Sequence, residues 1–470
     1  MSDRIGRIYG DAVWWQFNFV AKVYYPDQFV EIIDDYAKDK QGSLSAIYRV
    51  TECRTKNKFY DTPEAIQYIN EKEDVTRDTL FVYEAVLVST IHENRVSDEV
   101  FPLYPGKPVY RADSLNISTA YNIKDTGLTV GYMLYSPDTK IRLTLNDVFN
   151  PHMFIVGKTG SGKSYFAKGL LRLMEKAKEN YTVMVFSPSG EYNSSETDAR
   201  NGLPVLPGSE IVIEYHGETM AYLWGLNASE EKVLANVSID KTKIYSSSDL
   251  VREITSYHER GSTYQQISLL DGLDDNGGTN SKASLPSAAL SLISKIKRTN
   301  IKFTSDKNRA TEINKSYVID MSSCSQSEQE FLLHIYLNRL LFNQKNISSE
   351  KRAKIVVFIE EAHNYIPSVA TTMCKAAIIR LAREGRQFGV SLCMITQRPT
   401  HFDQTAFSQS GNKFIFALSH PDDVKKVLED SPHYSDDLTT IIKRQRVGQC
   451  TVNGDAFQST FTFKVDFGDD

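Results

Sequence analysis

Met153-Phe-Ile-Val-Gly-Lys-Thr-Gly-Ser-Gly-Lys-Ser164 decides how this chain is read. Four apolar residues make a short buried strand. Gly157–Ser164 then fits G-x-x-x-x-G-K-[ST], and Phe166, Leu170, Leu173 and Ala177 follow at three- and four-residue spacing, one face of a helix. A phosphate group needs several backbone N–H donors converging on one point. Gly157, Gly160 and Gly162 let the loop wrap that closely, with Lys158, Thr159 and Ser161 completing it. The helix adds the partial positive charge of its N-terminus. Lys163 is placed to reach the β- and γ-phosphates and Ser164 to ligate Mg²⁺, so the expected ligands are ATP and Mg²⁺.

Working downstream, Ile355–Ile359 is a wholly apolar run of the kind a central strand needs, and it ends in Glu360-Glu361-Ala362-His363. A carboxylate at such a strand tip holds Mg²⁺, and a second deprotonates the attacking water. Glu360 is expected to take the first role and Glu361 the second. Val390–Ile395 is another buried run, ending in Thr396-Gln397-Arg398-Pro399, and Gln397 is the candidate for contact with the γ-phosphate or the water. Arg380, Arg383 and Arg386 recur every three residues, which puts them on one side of a helix. Arg383 or Arg386, in preference to Arg380, is expected to neutralise transition-state charge; the competing reading is a salt-bridged surface with Glu384. His363 reads as packing or hydrogen bonding behind the acidic pair, since no second ligand has metal-binding spacing.

Outward from these motifs, strand-like runs at Thr182–Phe186, Tyr317–Ile319 and Phe414–Leu418 alternate with helical patterns, which predicts an α/β fold with a mostly parallel sheet and helices on both sides. The span 193–314 is less regular and reads as a helical insertion, with helices around Leu250–Arg260 and Ser287–Arg298 and a Gly/Asp/Asn-rich loop at Asp271–Asn280. Residues 1–115 differ in texture. Short β-rich runs at Ala12–Val20, Ala46–Cys53, Thr79–Ser89 and Lys107–Arg111 predict a small barrel or sandwich, while Glu31–Lys40 reads as a charged loop or surface turn. The three parts expected are 1–115, a core of 116–192 with 315–470, and the insertion 193–314.

Composition bounds the function. Of 470 residues 41% are hydrophobic and 24% charged, which excludes a disordered or fibrous chain. No apolar run approaches a membrane span, the first residues do not read as a secretory signal, and the five cysteines are scattered, so a cytoplasmic protein without a disulfide framework or zinc site is expected. The net charge of −5 resides in residues 1–115, which hold 14 of the 54 basic and 19 of the 59 acidic residues. A nucleic-acid site must then be a local cluster, and Lys282, Lys295, Lys297, Arg298 and Lys302 are the candidates.

Together the motifs resemble the HerA–FtsK class of P-loop ATPases, and within it the HerA family. The resemblance rests on Ile155–Ser164, Ser189-Gly-Glu-Tyr192, Ile359-Glu-Glu-Ala-His-Asn364, Arg383-Glu-Gly-Arg-Gln-Phe-Gly389, Thr396-Gln-Arg-Pro399, Asn412–Leu418, Pro421-Asp-Asp423 and Gly448–Asp455. Ile5–Gly10 and Tyr104–Tyr110 are similar to that family's N-terminal barrel. The resemblance implies a RecA-like ATPase core behind a small β-barrel. It implies a homo-hexamer that moves double-stranded DNA through its channel, and a nuclease-type or sirtuin-like effector on the barrel face, in bacteria sometimes in anti-phage defence. A membrane partner is not expected, which sets aside conjugation-type ATPases. The chain departs from the pattern at Glu360, where Asp is usual, and at Ser187-Pro-Ser-Gly-Glu191, where one acid is missing. Pro151-His152 stands where Arg-His often supplies a finger in trans, and Arg142 is a possible substitute. The alternative to a translocase is a nucleotide-dependent scaffold that organises an effector, with slow hydrolysis.

Overall fold

The computed structural model describes residues 3–34, 44–57, 79–149, 152–176, 181–192, 203–214, 217–240, 243–270, 285–299, 301–304, 311, 315–429 and 436–468. The chain divides into two compact units: 1–178 with 396–400 and 407–470, and 179–395 with 401–406.

The first unit opens with strands β1 (Arg4–Val13), β2 (Gln16–Ala21), β3 (Phe29–Ile33), β4 (Leu44–Asn57), β5 (Thr79–His92), β6 (Arg95–Ser97) and β7 (Pro108–Arg111). Six of them run in the order β2-β1-β7-β3-β4-β5, and β5 pairs back onto β2, closing a barrel with β6 appended to β5. Closure removes the free strand edges that an open sheet of this size would leave. Alternate residues point inward, and the interior is aromatic: Phe17 meets Tyr48 edge-on, and Phe19 stacks on Tyr83, each at 4.8 Å. Of the two architectures expected for this region, the barrel is the one formed. The expected loop at Glu31–Lys40 is corrected in its first part. Glu31 lies in β3, buried, and accepts a hydrogen bond from Asn116 Nδ2 at 2.9 Å; residues 35–40 lie outside the described residues. A charged residue is tolerated in the strand because this donor faces its carboxylate, while burial raises its pKa.

The same unit continues through the helix Ser114–Ala120, β8 (Leu128–Met133), β9 (Ser136–Leu143), β10 (Met153–Val156) and the helix Lys163–Lys176. Phe166, Ala167, Leu170, Leu171 and Met174 form that helix's buried face; Leu173 is only half-buried, so the apolar face is turned slightly from the one expected, and Ala177 lies outside the described residues. The rings of Phe414, Phe416, Phe463 and Phe467 surround Phe166.

The second unit carries β11 (Tyr181–Ser187), β12 (Val205–Pro207), β13 (Val212–Glu214), β14 (Ile244–Tyr245), β15 (Lys302–Thr304), β16 (Tyr317–Asp320), β17 (Lys354–Ile359) and β18 (Val390–Thr396), whose last residue belongs to the first unit. Its sheet runs β12-β16-β11-β17-β18, all parallel. Every residue of β16 and all but the first of β17 is buried, as strands covered on both faces require. The insertion is not wholly helical. Besides the helices Gly217–Trp224, Ala228–Ala235, Ser247–Leu270 and Ser287–Ile296, it holds a small sheet, β13-β15-β14, whose two- and three-residue strands are too short to leave a periodic signal.

The chain returns to the first unit with β19 (Asn412–Ile415), β20 (Gln449–Gly454) and β21 (Phe461–Val465). There β10 pairs in parallel with β19, and β19-β20-β21-β8-β9 continue antiparallel. The architecture is thus a RecA-like α/β core preceded by a β-barrel. Among the described residues no helix is long and apolar enough to cross a membrane.

Candidate nucleotide site

The phosphate loop lies in the first unit, between β10 and its helix. The main chain of Gly160 and Gly162 adopts φ of +75° and +111°, the left-handed region that side chains disfavour. Gly157 is required for a different reason. A Cβ there would lie 2.6 Å from Phe416 Cβ and 2.7 Å from Ser161 Oγ. The loop is braced from outside by the returning strands: Lys158 N donates to Ala417 O at 2.8 Å, Gly448 N to Ser161 O at 3.0 Å, and Phe416 N to Val156 O at 2.7 Å. These braces come from two stretches that carry the family resemblance, Asn412–Leu418 and Gly448–Asp455. Lys163 is largely buried, and its ammonium donates to Lys158 O at 3.0 Å. Ser164, half-buried, opens the helix. Gln397, after β18, meets the loop: Thr159 Oγ1 donates to its Oε1 at 2.6 Å. Arg142 is half-buried in β9, and His152 is buried before β10.

The acidic pair lies in the second unit, at the C-terminal end of β17. Glu360 is 5% exposed and accepts a hydrogen bond from Ser187 Oγ at 3.2 Å. Burial is the main cause that pushes its carboxyl up to about 7; Tyr192 and Ser187 act against the rise, Glu191 and Glu361 with it. The buried Tyr192 hydroxyl stands beside it, raised well above the usual phenol range first by burial and then by the charge of Glu360. These contacts give the two sequence departures a shared physical reading. Ser187 occupies a place where a second carboxylate would crowd Glu360, and it supplies a donor instead. Asp320, at the tip of the neighbouring β16, accepts from Ser322 N at 3.0 Å. Ser187, Tyr192 and Asp320 were not singled out as site residues. Tyr192 carries a signal inside the Ser189–Tyr192 motif and Ser187 one as a departure from the family pattern; Asp320 carries none.

Glu361 adopts φ 46° and ψ 42°, a left-handed conformation that is uncommon for any residue but glycine, asparagine or aspartate. Its Oε2 lies 3.3 Å from Nδ1 of His363.

Arg380 and Arg383 lie on the helix Lys375–Glu384, but Arg386 falls in the 3₁₀ turn Gly385–Phe388, so the three arginines do not share one α-helical side. Arg383 and Arg386 are exposed. Arg380 Nε lies 3.5 Å from Glu384 Oε1, and Lys345 also pairs with Glu384. Of the basic candidates in the insertion, Lys295 forms an ion pair with buried Glu230 at 2.7 Å. Lys297 and Arg298 are exposed at the end of the helix Ser287–Ile296, Lys302 is half-buried in β15, and Lys282 lies outside the described residues.

Among the described residues no three His, Cys, Asp or Glu side chains are arranged to hold a metal by themselves. Ser164 offers a hydroxyl oxygen and Glu360 a carboxylate oxygen, each a donor type that Mg²⁺ takes.

A parallel α/β sheet, a phosphate loop between strand and helix, and carboxylates at the tip of a buried parallel strand are the features of a P-loop ATPase that binds and hydrolyses ATP. Residues 128–340 match the family model described as helicase HerA, central domain. A probable helicase of Methanocaldococcus jannaschii is 27% identical over 78% of this chain and 71% of its own length. The DNA double-strand break repair helicases HerA of Saccharolobus solfataricus and Sulfolobus acidocaldarius are 24% and 25% identical, covering 78% and 93% of this chain and 73% and 88% of theirs. Among solved structures, VirB4 of Thermoanaerobacter pseudethanolicus is 15% identical with a TM-score of 0.46, over 73% of this chain and 98% of that one. The chain is thus similar to HerA-type P-loop ATPases over most of its length.

Proposed function

We propose that the chain is a ring-forming ATPase, a homo-hexamer, that couples ATP hydrolysis to movement of double-stranded DNA and works in the cytoplasm with a nuclease-type or sirtuin-like effector on its barrel face. The observation that carries this reading is the complete strand–loop–helix phosphate site in a chain whose relatives are named DNA double-strand break repair helicases.

The chemistry follows from residue types. The loop amides of Gly157–Ser164 and the Lys163 ammonium bind the β- and γ-phosphates, Lys163 exchanging its bond to Lys158 O for a phosphate oxygen. Ser164 and Glu360 would hold Mg²⁺, which when bound offsets phosphate charge. Glu361 accepts a proton from the attacking water, and Gln397 orients that water or the γ-phosphate. Arg383 or Arg386, both exposed, neutralises transition-state charge, in the same subunit or across a subunit interface. Lys297 and Arg298 are the preferred phosphate contacts for DNA, since Lys295 is already matched by Glu230.

The test is the steady-state ATPase rate with and without linear duplex DNA, with particle mass measured in the same buffer. A hexamer-sized particle whose turnover rises with DNA is expected. Slow turnover indifferent to DNA would favour a nucleotide-dependent scaffold that organises and activates an effector, in anti-phage defence or elsewhere. One observation favours that second reading: Trp14 and Trp15, at the β1–β2 turn, are 45% and 48% exposed, suited to a protein partner.

A further inference from the structure

We infer that Tyr165 is the stacking platform for the purine base of the bound nucleotide. This rests on the proposed phosphate site and adds a subsite for the other end of the ligand.

The phosphate loop has two edges. On one, Gly157 N donates to Thr396 O at 3.4 Å and Thr159 Oγ1 to Gln397 Oε1. On the other stand the returning strands, with Lys158 N on Ala417 O and Gly448 N on Ser161 O. Gln397 is the residue proposed for the γ-phosphate end, so the terminal phosphate points toward its edge. The helix fixes the next part of the ligand. Its ladder opens with Phe166 N donating to Gly162 O at 3.0 Å, which leaves the amides of Ser164 and Tyr165 at the N-terminus, where a helix supplies no acceptor and a phosphate does. A nucleotide laid across the loop with its γ-phosphate at Gln397 brings its α-phosphate to these amides. Its base then leaves the loop on the side of β20 and β21.

On that side the chain presents an aromatic surface. Tyr165, in the first turn of the helix, is 54% exposed, and its ring lies 5.7 Å from that of Phe467, just after β21. Phe467 is itself seated. Its ring is 6.0 Å from that of Phe166 and rests on Gly169, where a Cβ would run into its Cε2. One turn back, a Cβ at Gly162 would lie 3.3 Å from Gly448 N, so the same side of the helix also receives the turn before β20. That turn is tied to β21 by Val465 N donating to Gly448 O at 2.8 Å and Lys464 Nζ to Val447 O at 3.1 Å. Val447, at its tip, is 67% exposed and adds a second apolar side chain beside the loop. The fully buried Phe166 carries the packing of this helical turn, whereas Tyr165 is turned outward and held on one side by another ring. A base stacks on an aromatic ring through its π-face, and a purine offers two fused rings for the contact.

The test uses the full chain and calorimetric titration with two ligands, a non-hydrolysable ATP analogue and inorganic tripolyphosphate, with particle mass measured in the same buffer. Wild type should bind the analogue more tightly than tripolyphosphate. Tyr165→Ala should weaken the analogue about 5- to 150-fold and leave tripolyphosphate within about twofold, because only the base loses a partner. Tyr165→Phe keeps the ring and should bind both ligands as wild type does. Analogue affinity of Tyr165→Ala within about twofold of wild type overturns the inference. So does an equal loss for both ligands, a loss that Tyr165→Phe shares, or a loss that comes with a smaller particle, which would assign Tyr165 to a subunit contact. Lys163→Ala is run alongside and should weaken both ligands. If wild type binds neither ligand, the phosphate site fails and this inference with it; if Lys163→Ala weakens both while Tyr165→Ala binds the analogue as wild type does, only the base platform fails.

Discussion

Replacing Glu360 by Gln should stabilise this protein above neutral pH while abolishing its hydrolysis. Glu360 is 5% exposed, and burial raises its carboxyl from the ordinary value of 4.5 to about 7. The sign follows from linkage. A folded-state pKa above the unfolded one means that the folded protein holds the proton more tightly. The stabilising contribution is complete below about pH 4.5 and is lost as pH rises through 7. At about 1.4 kcal/mol per pH unit, the loss between those limits is roughly 3 kcal/mol. Gln is neutral at every pH, keeps an oxygen to accept from Ser187 Oγ, and avoids that loss. The assay is thermal unfolding of nucleotide-free wild type and Glu360→Gln at pH 5, 6, 7 and 8. At about 2–4 °C per kcal/mol for a unit of this size, the variant should gain on the order of 6–12 °C relative to wild type between pH 5 and pH 8. Its ATPase rate should fall to background at every pH. A stability difference that does not change with pH, or a variant less stable than wild type at pH 8, would refute the reasoning. Stability gained where activity is lost marks a group retained for function.

Other consequences are checked more simply. Lys163→Ala should lose most nucleotide binding, measured with a fluorescent ATP analogue, since it removes the ammonium that now donates to Lys158 O and is proposed to bind the phosphates. Glu361→Gln should bind ATP normally and lose roughly 10²–10⁴-fold in turnover. Gly157→Ala forces a Cβ to within 2.6 Å of Phe416 Cβ and should lower both the melting temperature, by an amount corresponding to about 1–3 kcal/mol, and ATP affinity. DNA binding should weaken steeply with salt and show little sequence preference. Reversing Lys297 and Arg298 to Glu should weaken it at low salt and flatten the salt dependence, while binding that resists salt would remove the phosphate-contact reading.

Much of the nucleotide site was legible in one dimension because its chemistry is local. A phosphate loop needs consecutive amides, small residues and a helix start, all within eight residues, and Gly157–Ser164 states them in order. Buried parallel strands such as β17 need unbroken apolar runs, so Ile355–Ile359 and the Glu360-Glu361 pair at its end were readable too. The short β-rich runs left barrel and sandwich open, with only the family resemblance pointing to the barrel, because closure depends on β5 pairing with β2 across the intervening chain.

What escaped the sequence was whatever depends on chains far apart meeting. Lys295 looked like a free cation on a basic helix until Glu230, 65 residues earlier, was found beside it. Glu31 looked too polar for a strand because its donor, Asn116, is 85 residues away. Ser187 looked like a missing acid; it is the hydrogen-bond donor to Glu360, 173 residues on. The sequence by itself determined that this chain is a P-loop ATPase with a β-rich N-terminal domain, because phosphate binding and strand burial are written in neighbouring residues. Tertiary structure alone decided which charges are matched, which glycine would clash, and that Glu361 sits in a left-handed turn against His363. Burial and hydrogen-bond partnership are properties of the folded surroundings, and residue order does not contain them.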